Sequence, residues 1–496
     1  MAYFPHSQVI KYEEACGEDG DVCSSEKSTI DSDIIGTNAA QRTEQHAPDG
    51  CCSNSNQATE ESASNTQKSD TNSLLGSYIT KEYELLNLVL SHLPLGDLNA
   101  ASQVCRTWCS AAVSVRRGRT HPHWLLWCGD QRQKISEQSC RIKSVKFAEA
   151  EFPYLAFREH VYSEPSLALM FASHTVFGAR VMCTYKCSCP AVTAGQNNEE
   201  DGHQHRVWEY VRAELQPTCP LICLRGYGIV GTLPDLTVTV ELENSRAYSV
   251  LLLPDMPGVT VRTFQLDTNQ VNKLQKSNLQ SLNVEVMEQL TGIPTGESVQ
   301  CLLLFCREAL LLVPAIIHLV SSLQNRQEET MAVAGGIIND VGGLNDGVPI
   351  MVGVTFSGEG VCVASTILGR GVATEMEVDK AMQELKAHTV SSYSSSVGLM
   401  FACVGRGRHH YQGKRNVESA AFRKHFPKTP LLGYFGNGEI GFKLLPDVTD
   451  KKKLLDGPTR GNKRKRTGTP VILHSYTTIM VHLAFTGSKA SSHTHR

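Results

Sequence analysis

The sequence predicts a mixed α+β chain: a small helical unit, then a larger body of strands alternating with helices, behind an acidic leader. Three observations predict it. Apolar residues recur at helical spacing over residues 84–108. From about residue 140, short β-rich apolar runs alternate with amphipathic segments. Residues 1–73 hold 13 Asp and Glu against 4 Lys and Arg, with abundant Ser, Asn, Thr and Gln. Strands alternating with helices build layered α/β or α+β architecture. The 496 residues suggest roughly two to four domains, and the 41% hydrophobic content is enough for real cores.

The leader cannot offset the entropy of ordering, about 1–2 kcal/mol per residue for the backbone alone. Residues 1–73 are therefore expected to be a disordered tail, with a partner-binding segment as the alternative. In the helical unit, Leu86, Val89, Leu90 and Leu93 fall at i, i+3, i+4 and i+7, the pattern of one apolar helix face. Pro94 and Gly96 are expected to stop that helix, and Asp97 to cap the next. Leu98, Ala101, Cys105 and Trp108 form a second stripe. A unit of about 40 residues buries little of its own surface, so this one is expected to rest on a partner or on the rest of the chain.

In the body, Tyr248–Leu253, Gln300–Phe305, Ile350–Phe356 and Gly398–Val404 read as buried strands. Met376–Ala387 and Asn416–Phe426 read as helices, the second capped by Asn416. Val192–Gln204 is polar and loop-like, and 450–469 is basic, contains Gly and Pro, and is expected to be exposed.

Composition narrows the function classes. A net charge of −3, from 47 Lys and Arg against 50 Asp and Glu, gives no global field to hold nucleic acid. The 17 cysteines are scattered and odd in number, and the start of the chain turns acidic too early for a signal segment. Reduced thiols in the cytosol or nucleus are the expected state. The most apolar stretch, Cys301–Val320, is interrupted by Arg307, Glu308 and Pro314. A membrane span needs about 20 nearly uncharged residues, so a strand followed by a helix is expected there instead.

Four motifs could carry chemistry. Gly226-Tyr-Gly228-Ile-Val-Gly231 and Gly436-Asn-Gly438-Glu-Ile-Gly441 have dinucleotide-loop spacing, but strand-like, Pro-broken sequence follows where a helix is required. Turns between strands, with glycine supplying positive φ, explain both better. Cys183, Cys187 and Cys189, with His203 and His205, match no common zinc spacing, so no metal is expected. Cys403 ends an apolar strand before Arg406, Arg408, His409 and His410. Positive charge there would lower the thiol pKa and favour thiolate if the residue is exposed, with a buried structural thiol as the alternative. The clusters Lys451, Lys452, Lys453 and Lys463, Arg464, Lys465, Arg466 have the spacing of a bipartite nuclear-import signal, with a solvated loop as the alternative.

Glu84-Leu-Leu-Asn-Leu-Val-Leu-Ser-His-Leu-Pro, then Leu98 and Val104-Cys-Arg-Thr-Trp108, resembles an F-box. Phe401–Gly407, Asn416–Pro427, Pro430–Gly441 and His474–Met480 look like the FIST C-terminal region found in a few F-box proteins. The resemblance implies an F-box at 78–120, a FIST N-like region at 140–325 and a FIST C-like domain at 326–488. It implies the substrate receptor of a Skp–cullin–F-box ubiquitin ligase, in cytoplasm and nucleus. The F-box would dock on the Skp adaptor of the cullin scaffold, and the body would hold proteins for ubiquitination and degradation. Leu85, Leu86, Leu93, Pro94, Leu98, Val104 and Trp108 are then the adaptor-contact or F-box-core residues. Cys403, Arg406, His409, Asn437 and Glu439 are the candidate substrate or ligand surface. No catalytic residue, metal or cofactor is expected, and neither a membrane nor a nucleic acid is an expected partner. A small-molecule or redox-sensing module with the F-box as output is the runner-up, and an autonomous cysteine enzyme the third reading.

Overall fold

A computed structural model describes residues 82–129, 161–182, 204–276, 284–307, 309–344, 347, 349–446 and 471–486. The acidic leader, the Cys183–Cys189 cluster and the basic residues Lys451–Arg466 lie outside the described residues.

Three helices come first: α1 Tyr83–Ser91, α2 Leu95–Ala101 and α3 Arg106–Gly118. Leu86, Leu90, Leu98, Ala101, Ala111 and Ala112 close a small core between them, with Leu93, Trp108 and Val115 at its margin. The expected α1 stripe is divided, because Leu86 and Leu90 are buried whereas Val89 is exposed. Pro94 is the N-cap of α2, so Gly96 lies inside that helix and Asp97 in its first turn. The second stripe is not one helix either. The chain breaks after Ala101, and Cys105, expected to face the core, is the exposed N-cap of α3.

The body follows in the order β1 His123–Cys128, β2 Pro165–Ser173, α4 His174–Phe177, β3 Arg180–Met182, β4 Gln204–Arg206, α5 Val207–Glu214, β5 Leu221–Gly226, β6 Gly228–Thr232, β7 Thr239–Glu243, β8 Ala247–Pro254 and β9 Thr260–Leu266. Next come α6 Thr268–Lys276, α7 Val284–Thr291, β10 Val299–Cys306, α8 Ala309–Gln324, β11 Ala332–Ile337, β12 Asp340–Gly342, β13 Met351–Ser357 and β14 Val361–Leu368. The chain continues with α9 Glu375–Ala387, β15 Ser395–Cys403, α10 Gly407–His410, α11 Val417–His425, β16 Leu431–Gly436, β17 Glu439–Ile440, β18 Leu473–His474 and β19 Thr478–Phe485. The four strands and two helices expected in the body are β8, β10, β13, β15, α9 and α11. Cys301–Val320 forms most of β10 and α8, and no described helix is long and apolar enough to cross a membrane. Asn416 precedes α11 in the left-handed region and does not cap it. Its Oδ1 accepts from the Glu241 backbone N–H instead, at 2.8 Å.

One sheet plan occurs three times. A central strand, β2, β10 or β15, pairs in parallel with β5, β11 or β16 on one side. It pairs antiparallel with β8, β13 or β19 on the other. An outer strand, β1, β9 or β14, extends each antiparallel side. The strand after each parallel strand then leaves for another sheet: β6 pairs with β16, β12 with β5, and β17 with β11. The exchange is cyclic, and it crosses the boundary at 325–326 expected from sequence. Equivalent backbone bonds mark its corners: Tyr227 N–H to Phe435 O (2.9 Å), Asn339 N–H to Arg225 O (3.1 Å) and Asn437 N–H to Ile337 O (3.2 Å). Phe171, Phe305 and Phe401 stand at the same place on the three central strands. The Phe401 ring centroid lies 6.3 Å from that of Phe171 and 5.5 Å from that of Phe305, and Tyr434 packs against all three.

Both glycine strings sit at these corners, at the β5–β6 and β16–β17 junctions. Close approach, more than positive φ, requires their glycines. A Cβ on Gly228 would stand 2.7 Å from Leu242 O, and one on Gly436 2.5 Å from Ile337 O; only Gly438 and Gly441 of the two strings have positive φ.

Candidate docking surface

Tyr83, Leu85, Leu88, Val89 and Val104 are five of the eleven large apolar residues exposed among the described residues, and all lie in the three-helix unit. Leu85, Leu88 and Val89 fall at i, i+3 and i+4 of α1, so they form one stripe. Leu86 and Leu90 occupy the inward side of the same helix. Helix α1 is thus apolar on two sides, and only one has a partner within the described chain. Val104 is 63% exposed at the turn into α3. Burying a Leu or Val side chain yields about 1.5–3 kcal/mol, so the uncovered stripe is a ready source of association energy.

The structure sorts the expected adaptor residues. Leu86 and Leu98 are core; Leu93, Pro94 and Trp108 are half-buried; Leu85 and Val104 are exposed. Sequence reasoning passed over Leu88 and Tyr83. Leu88 completes the i, i+3, i+4 set with Leu85 and Val89, a signal masked by the stronger Leu86–Leu90 pair.

The second candidate group does not form one surface. His409 and Asn437 are exposed, whereas Cys403, Arg406 and Glu439 are buried. Arg406, expected to lend its positive charge to Cys403 and to line the candidate surface, is fully engaged elsewhere. Its Nη2 donates to Glu418 Oε1 (2.6 Å) and Tyr411 Oη (2.7 Å), its Nε to Glu418 Oε1 (2.9 Å), and its Nη1 to the carbonyls of Gly369 (3.1 Å) and Val372 (3.0 Å). Burial, then the nearby Glu439 carboxylate, push the Cys403 thiol pKa up. That is opposite to the lowering expected from its sequence neighbours, because the charge facing the sulfur comes from another strand.

Burial likewise raises Glu439 to about 7, opposed by Thr477, whose Oγ1 and N–H donate to Oε2 at 2.5 and 3.1 Å. Glu241 is raised to about 8, by burial and then by the Glu418 charge, although the Ser419 N–H at the start of α11 donates to it at 2.7 Å. Neither Glu241 nor Glu418 was singled out in the sequence; Glu418 lies 12 residues from Arg406, beyond any local pattern. Asn437 Nδ2 donates to Tyr227 Oη (3.1 Å) and Asn339 Oδ1 (3.2 Å), so side chains from all three exchange corners meet. No group of His, Cys, Asp and Glu among the described residues could hold a metal ion.

Residues 83–120 match the F-box domain and residues 353–442 the FIST C domain, and the chain carries both. F-box only protein 22 of Homo sapiens is 28% identical over 431 residues, covering 82% of this chain and 93% of that protein. The Pongo abelii protein of the same name is 27% identical over the same shares. An F-box protein of Arabidopsis thaliana is 35% identical over 96 residues, 19% of this chain and 25% of that protein. Among solved structures, cyanuric acid hydrolase from A. caulinodans aligns over 74% of this chain and 99% of its own. At 10% identity and a TM-score of 0.28, that likeness carries no argument.

Proposed function

We propose that this chain is a non-catalytic substrate receptor of a Skp–cullin–F-box ubiquitin ligase, acting in cytoplasm and nucleus. The observation that carries the reading is the uncovered Leu85, Leu88 and Val89 stripe on an F-box whose opposite side already has its core. An apolar stripe with no partner in its own chain fits a protein partner, here the Skp adaptor, which links the chain to the cullin scaffold. The body, with a core drawn from all three of its larger sheets, is the part free to hold a target protein for ubiquitination and degradation. The receptor forms no bond itself. The buried, protonated Cys403 thiol supports that assignment over a cysteine enzyme, which needs a thiolate.

The test is adaptor co-purification with Leu85→Asp, Leu88→Asp. Each leucine keeps about half its surface in solvent, so losing both from the interface removes about 1.5–3 kcal/mol of association energy, at least about tenfold in affinity. Because both residues are exposed, the melting temperature of the free chain should stay put. Retention of the adaptor at wild-type levels sinks the reading.

A further inference from the structure

A docking unit this small could hang from its body by a tether. Here it is fastened. Helix α3 ends at Gly118 and β1 begins at His123, so only Arg119–Pro122 connect the unit to the outer strand of a sheet. Within that connection, the Arg119 guanidinium reaches both sides. Its Nη2 donates to the carbonyls of Leu93 (2.6 Å), Ser91 (3.0 Å) and Leu90 (3.2 Å), closing the C-terminal end of α1. Its Nη1 donates to the carbonyl of Tyr162 (2.5 Å), a residue that leads into β2, and its Cζ lies 5.7 Å from the Tyr162 ring centroid. A second tie runs alongside: Leu95 N–H donates to Val161 O at 2.7 Å, and the Leu95 side chain packs on the body cluster containing Leu125 and Val161.

We propose that Arg119 is a positioning residue that locks the F-box against the body, so that a bound target is presented at a fixed offset from the adaptor. The proposal deepens the receptor reading and rests on it. A rigid guanidinium fork suits the role, since one group satisfies acceptors on two bodies in a set geometry. A fixed offset raises the effective concentration of a target lysine at one place in space, whereas a swinging joint dilutes it.

The experiment uses the full chain with fluorophores on noncanonical residues at the exposed positions Gln103 and Glu359. Single-molecule energy transfer should give one narrow peak in the wild type. Arg119→Met should lose that peak to a broad distribution, with adaptor co-purification retained and partial rescue by Arg119→Lys. Arg119 also closes α1, so Tyr162→Ala, which removes the ring beside the guanidinium but keeps the α1 bonds and the Tyr162 carbonyl, gives the smaller broadening to be read should Arg119→Met unfold the unit. Broadening in Tyr162→Ala supports the clamp. A narrow peak in both variants overturns it, as does a broad peak in the wild type. Failure of the wild-type chain to bind adaptor would instead remove the receptor reading, while the energy-transfer result still judges the clamp.

Discussion

The F-box and the strand body both contain abundant apolar side chains, and they place them differently. The F-box buries six residues in its own core and leaves a comparable set in solvent. The body gathers apolar residues from all three sheets, Phe171, Phe305 and Phe401 among them, into one shared core. Apolar surface that the body covers from within is, on the F-box, left in solvent. Hydrophobic content is therefore a poor guide to stability by itself; what matters is whether the fold or another molecule supplies the opposing face.

The comparison breaks most visibly at the cores. Phe401→Ala should cost about 3–5 kcal/mol and lower the melting of the whole body, because its ring meets residues of two other units. Leu90→Ala, also fully buried, should cost about 2–5 kcal/mol. It should raise amide hydrogen exchange only over residues 83–118, leaving body amides protected. Equal propagation of both lesions would erase the distinction.

A smaller effect comes from pH. Glu241 and Glu439, at about 8 and about 7 in the folded chain against an ordinary 4.5, hold protons that the unfolded chain has released. The folded state binds more protons over that interval, so stability falls as pH rises through it. Buried His123 and His482, lowered to about 4 and about 3, act in the opposite direction but mainly below their ordinary 6.5. Between pH 6.5 and about 8 the carboxylates outweigh the fading histidine contribution, and denaturant midpoints should decline. Glu241→Gln should flatten that decline, and an unchanged slope would refute the assignment. The smallest effect on stability should come from replacing Lys463–Arg466 with Ala, which is expected to leave the melting temperature unchanged and lower the nuclear fraction in imaging. An unaltered nuclear fraction would leave only a solvated loop.

Much of this was legible in sequence where one physical signal dominated. Continuous apolar runs marked β8, β10, β13 and β15, because strands buried on both faces need no alternation. Periodicity found α1 but could not sort its sides, since a core face and a partner face are equally apolar. The threefold plan stayed hidden because the exchanged strands are short, two residues in β17 and three in β12, and their partners are remote. Arg406 read as a reactive neighbour of Cys403 for the same reason: Glu418 and Glu439 reach the site only after folding.

The cyclic exchange also sets a timetable for synthesis. Strand β6 leaves the ribosome long before β16, and Thr232 donates to the Leu431 carbonyl across 199 residues of chain. At about 5–20 residues per second, the first half waits on the order of 10–40 s for the strand that completes it. Throughout that interval the nascent chain carries bare strand edges, the surfaces on which other nascent chains can nucleate aggregates. A ribosome stalled before β16 would leave one edge of β6 bare, although β7 covers the other, and such products should depend on chaperones for as long as they last.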